Sequence, residues 1–147
     1  MTMDTRLVRD PIDASALLAR VSRSSNGAAL LFLGVVRDVN DGRAVSGIDY
    51  SAYEPMAARE LGDIAREAAE RFGVTDIAIE HRLGELALED ASVGIAVGHP
   101  HRAEAYEASR WILEELKRRV PIWKREHYAD GTREWVDPSR ATASART

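Results

Sequence analysis

Residues 28–36, Ala-Ala-Leu-Leu-Phe-Leu-Gly-Val-Val, constrain this fold more than any other stretch. A nearly continuous apolar run of this length predicts a strand covered on both faces. It falls well short of the ~18 apolar residues that a membrane span needs. Helices must therefore pack around the sheet that contains it. The polar cluster Asp38-Val39-Asn40-Asp41-Gly42 follows the run and reads as a turn.

Helix signals lie on either side. Asp13 is a good N-cap for a helix over 13–22, with Leu17, Leu18 and Val21 at helical spacing and Asn26-Gly27 closing the unit. Pro55 suits the first turn of a helix over 54–72, whose stripe of Ala57, Leu61, Ile64, Ala65, Ala68 and Phe72 faces a core. Gly73 is its C-terminal cap. A third helix is expected over 101–119, with Ala105, Ile112, Leu116 and Val120 inward, and Pro121 ends it. Further strands are expected over 7–8, 45–53, 74–83 and 92–97, with Glu89-Asp90 in the last turn. A β-hairpin over 122–136 turns at Asp130-Gly131. The expected class is α+β (mixed α/β), a single domain over 1–147 with a flexible tail from about 138.

Composition removes several functions. A net charge of −4 argues against a general nucleic-acid binder. The chain has no cysteine, so disulfides, thiolate nucleophiles and Cys-based zinc sites are out. No signal peptide or membrane span is expected, and a cytoplasmic location fits. His99-Pro100-His101 has no further metal ligands in view, so no metal site is expected.

The basic residues are nearly all arginine. Two lysines are the exceptions, Lys117 and Lys124, on either side of Pro121. Lys carries a compact charge whose pKa responds to burial, which Arg cannot match. The turn at Pro121 can bring both amines together, and like charges in close approach lower each other's pKa. Lys117-Arg118-Arg119 equally suits a helix C-terminus, where cations offset the dipole. His101 and Arg102 enter the third helix, an anion-binding position if they face a ligand and an ordinary exposed turn if they do not. Arg37 ends the apolar strand, as a ligand group or a plain surface arginine. Glu126 alternates with Lys124 and is either catalytic or the partner of a nearby arginine. Trp111, Trp123 and Trp135 are expected in the core or an interface.

Several separated pieces then combine: Phe32-Leu33-Gly34-Val35-Val36-Arg37, His81-Arg82-Leu83-Gly84-Glu85-Leu86 and His101-Arg102 entering a helix. They continue as Leu116-Lys117-Arg118-Arg119-Val120-Pro121-Ile122-Trp123-Lys124-Arg125-Glu126 and end at Trp135-Val136. In this order they resemble the catalytic (large) subunit family of molybdopterin synthase.

The resemblance implies an α/β hammerhead-like fold and a sulfurtransferase of molybdenum cofactor biosynthesis. Its substrate would be cyclic pyranopterin monophosphate, converted to the molybdopterin dithiolene. Sulfur would arrive on the C-terminal thiocarboxylate of a small ubiquitin-like carrier subunit, so no resident cofactor is implied. A chain without cysteine needs such an outside source. A homodimer of large subunits within a heterotetramer is implied too. By the same carry-over, Lys117 and Lys124 are catalytic, Lys117 polarising the thiocarboxylate and Lys124 acting as acid/base or stabilising charge. Val35, Val36, Arg37, His101, Arg102, Arg125 and Glu126 join them in binding substrate, with Arg140 as a further possibility. His101 and Arg102 would come from the dimer mate. The competing class is a non-enzymatic adaptor that binds the carrier tail.

Overall fold

The computed structural model describes residues 1–136; the tail from about 138 and Arg140 lie outside the described residues. In chain order the elements are β1 (Thr2–Val8), α1 (Ala14–Val21), β2 (Ala28–Val35), β3 (Val39–Asn40), β4 (Arg43–Ala52) and α2 (Glu54–Phe72). There follow β5 (Asp76–Arg82), β6 (Gly84–Ala87), β7 (Ala91–His99), α3 (Arg102–Arg119), β8 (Ile122–Tyr128) and β9 (Arg133–Val136).

The first sheet has the order β1-β5-β7-β2. Alternation along its strands sorts side chains by size onto two faces. Ile77, Ile79, Ile95 and Val97 turn toward α2 and α3, where Leu61, Ile64, Ala68, Ala108 and Ile112 meet them. Ala78 and Ala96 turn the other way, and their small side chains let Leu17 and Val21 of α1 pack close. Each fully buried Ile or Leu contributes roughly 1.5–3 kcal/mol by leaving water. The cap signals are all met: the Asp13 carboxylate accepts from the Ala16 N–H at 3.0 Å, Pro55 lies in the first turn of α2, and Gly73 takes a left-handed φ of 67°.

The second sheet has the order β3-β4-β8-β9, with β6 also paired to β4. Its inner face is a small core of Val36, Val45, Ile48, Leu86 and Tyr128, with Tyr50 at the margin. The chain passes between the second sheet and the helices at two adjacent points. At one, Tyr53 leads into α2; at the other, Pro121 leads from α3 into β8. The Tyr53 N–H donates to the Pro121 carbonyl at 3.2 Å, tying the two together. Val120 is extended at φ −80°, ψ 125°, as expected before proline.

The α+β class and the C-terminal hairpin are as expected, and the two sheets suit a hammerhead-like description. Three expectations need correcting. The apolar run does meet core on both faces, Leu30 and Phe32 on one and Leu31 on the other, but β2 is an edge strand and its residues stay partly exposed. The first strand begins at Thr2 rather than 7, because its parallel pairing to β5 outweighs the polar side chains of Asp4 and Arg6. The turn cluster and the stretch after Leu83 each hold an unexpected short strand, β3 and β6, formed by pairing with β4.

Candidate active site

Pro121 decides the geometry of the lysines. It stops α3 just after Lys117 and starts β8 just before Lys124, so one side chain leaves a helix end and the other a strand. Lys117 remains exposed and Lys124 is half-buried. The Lys117 amine has a pKa lowered first by partial withdrawal from water, then by the positive charge of Lys124, then by that of Arg37. Three cations on α3, β8 and the end of β2 thus share one region.

Their neighbours separate structural charges from available ones. Arg118 pairs with Glu115. Arg119 reaches Glu60 at 3.0 Å and Glu67 at 2.8 Å, pinning the end of α3 to α2. These two arginines are the helix-end charges. Among the described residues Lys117 and Arg37 have no carboxylate within 4.0 Å. Lys124 has one, with its Nζ 3.4 Å from Oε1 of Glu126.

Glu126 is buried, 2% exposed, and its Oε2 has no hydrogen-bond partner among the described residues. An unmet buried acceptor costs about 1–3 kcal/mol. Among the described residues no arginine reaches Glu126, and Arg125 is on the opposite face of β8. There Arg125 and His127 both approach Oδ2 of Asp49, each at 2.7 Å. Strand alternation fixes this: Lys124 and Glu126 face one way, Arg125 and His127 the other. Across the ladder, Tyr50 stands opposite Lys124 and Ile48 opposite Glu126. The Tyr50 pKa is raised by burial and by the nearby Glu126 charge.

The other candidates are placed as follows. Val36 is buried, its N–H donating to Asp90 and its carbonyl accepting from Glu89, so this strand end offers a ligand the Arg37 side chain and the exposed Val35. His101 and Arg102 are exposed at the start of α3. Fifteen residues of helix at 1.5 Å each put Arg102 about 22 Å from Lys117. Within one copy the two groups cannot touch a common small ligand. Glu104 also sits in the first turn of α3, so the acidic residue usual at a helix start is present after all. Trp111 packs edge-on against Phe72, whereas Trp123 and Trp135 are exposed rather than core. Arg140 lies outside the described residues.

Sequence reasoning passed over Tyr50, Asp49 and His127. Only the β4–β8 register reveals them, and that pairing spans more than 70 residues. A cavity of about 610 Å³ lies elsewhere, lined in part by Gly47, Glu85, Asp90, His127 and Arg133 and by none of the three clustered cations. Among the described residues no group of three His, Asp or Glu side chains could hold a metal ion. No described helix is long and apolar enough to cross a membrane.

Residues 7–119 match the family model described as MoaE protein. This chain belongs to that family. A molybdopterin synthase catalytic subunit of Pyrococcus abyssi is 43% identical over 136 residues, covering 91% of both chains. One from Emericella nidulans is 44% identical over 124 residues, 84% of this chain; the match spans 64% of that relative's length. The crystal structure of molybdopterin synthase from Staphylococcus aureus superimposes with a TM-score of 0.84 at 36% identity, covering 89% of this chain and 95% of that one. The MoaE family model ends at Arg119, so Lys124 and Glu126 lie beyond the matched span. The coarse assignment is to the enzymes of molybdenum cofactor biosynthesis.

Proposed function

We propose that this chain is the catalytic subunit that moves sulfur from a thiocarboxylated carrier tail onto cyclic pyranopterin monophosphate, forming the dithiolene. The observation that carries this reading is the approach of the chain's only two lysines across Pro121, beside Arg37, in a protein without any thiol. Sulfur then has to come from a partner, and a small ubiquitin-like carrier supplies it without a resident cofactor. Lys117 and Arg37, which have no carboxylate partner among the described residues, suit the anionic thiocarboxylate and phosphate. Lowered affinity for its proton suits Lys117 to proton exchange, while Lys124 stabilises developing negative charge.

The ~22 Å between Arg102 and Lys117 supports a site built from two copies, with His101 and Arg102 contributed by the other large subunit. That is the homodimer within a heterotetramer expected from the sequence. A cytoplasmic location accords with this role.

Purified protein, thiocarboxylated carrier and pyranopterin are incubated and dithiolene product is measured. Lys117→Arg and Lys124→Arg should each lose most turnover while keeping carrier binding. Full turnover in both variants would show that only charge matters. Tight carrier binding with no product from the parent protein would leave an adaptor.

A further inference from the structure

The two lysines are not equivalent, and the difference lies beneath them. Lys124 has a buried carboxylate at 3.4 Å, whereas Lys117 has none among the described residues. Among the described residues Glu126 has no other partner. Arg125 and His127 are committed to Asp49 on the far face of the sheet. Ile48, which has no polar side-chain atom, lies directly across the ladder. At 2% exposure the carboxylate has almost no contact with water or with a ligand arriving from solvent.

We infer that Glu126 is a positioning residue, the fixed counter-ion that holds the Lys124 ammonium in one orientation, rather than a contact for the substrate. The inference rests on the proposed sulfur transfer for its kinetic consequence, but the ion pair itself is testable without turnover. A charge buried without a partner is strongly disfavoured, so Glu126 and Lys124 hold each other in place. Glu126 approaches Lys124 from within its own strand and Tyr50 stands opposite from β4, with the ring of His81 edge-on behind Tyr50 at 5.1 Å. The other charged groups facing this region are Lys117 from α3 and Arg37 from the end of β2, both cationic. Among the described residues one anion therefore serves three cations, and it is bound to one of them. Lys117 and Arg37 are left for incoming anions, and Lys124 presents a charge already set in direction.

The lysine count makes this directly observable. Protein labelled with ¹³C at lysine Cε gives two side-chain signals, one per lysine. In the parent protein the two ε protons of Lys124 should be inequivalent, because the ion pair holds one rotamer. Glu126→Gln keeps the shape and removes the charge; the Lys124 protons should merge while the Lys117 signal changes little. Glu126→Asp keeps the charge on a shorter arm and should lie between. In the product assay Glu126→Gln should lower kcat about a hundredfold, as misplacement of a reacting group does. Its KM for the pterin should stay within about threefold.

An unchanged Lys124 signal in Glu126→Gln overturns the inference. So does a KM that rises while kcat holds, since that marks a substrate contact. If Glu126→Gln does not fold, Glu126→Asp decides, and an equal response of both lysines refutes the pairing. Should the parent protein form no product, the proposed activity falls while the two signals still decide the role of Glu126.

Discussion

Asp76 gives the most demanding test of how the first sheet is anchored. Its carboxylate is fully buried and accepts from the Thr2 N–H at 2.6 Å, Arg23 Nε at 2.8 Å, Asn26 Nδ2 at 2.8 Å and Thr75 Oγ1 at 3.1 Å. A hydrogen bond to a charged group contributes about 1.5–3 kcal/mol, but a simple sum overshoots. Arg23 is 44% exposed and regains water, and Asn26 keeps a second acceptor in the Val21 carbonyl. Asp76→Ala should therefore cost about 3–5 kcal/mol, as for breaking a buried charged pair. That is a large share of a total stability of about 5–15 kcal/mol.

The penalty should depend on pH in one direction. Burial alone would raise the Asp76 pKa, but the bonds from Asn26, Thr2 and Thr75 and the charge of Arg23 outweigh it and hold it below its ordinary value. A carboxylate depressed in the folded state stabilises above its unfolded pKa of about 3.9 and loses that contribution as pH falls through the folded value. Urea unfolding followed by circular dichroism at about pH 7 and pH 3 should show the full penalty at the higher value and a smaller one at the lower. A penalty below about 1 kcal/mol at neutral pH, or an equal one at both values, refutes the reasoning.

Two further outcomes are expected. An amine-directed acylating reagent, followed by peptide mapping, should modify Lys117 faster than a free lysine side chain. Arg37→Gln should slow that labelling and Lys124→Gln should slow it more, because removing a like charge raises the Lys117 pKa and Lys124 acts on it more strongly. Burial pushes the His81 imidazole down to about 4, against an ordinary value of 6.5. The unfolded chain then binds the proton first, so stability should fall by about 3 kcal/mol as pH drops from 6.5 toward 4. His81→Phe, which keeps an aromatic ring against Tyr50, should flatten that decline in denaturation measured across this range.

Local chemistry made the helices legible: Asp13, Pro55, Gly73 and Pro121 mark their ends by backbone rules that need no tertiary context. The lysine pair was legible for the same reason, since a proline corner folds near neighbours together. Pairing between distant strands was not. Residues 84–87 offer one buried side chain, Leu86, and become a strand only because β4 lies beside them. Glu126 needed the face of β8 to be known before its partner could be named. Two separations are legible in the sequence alone. Alternation already separates Arg125 from Lys124, and helix rise already separates Arg102 from Lys117.

The bond between Tyr53 and Pro121 has a mechanical consequence. The two passages between the second sheet and the helices lie side by side, so this joint behaves as a clasp with two tines, while the links β2–β3, β5–β6 and β6–β7 join that sheet to the first. Tilting that sheet against the helices would drag both strands of chain at once. Since one lysine stands on each side of the clasp, their separation is a gauge of how the two halves of the molecule are seated.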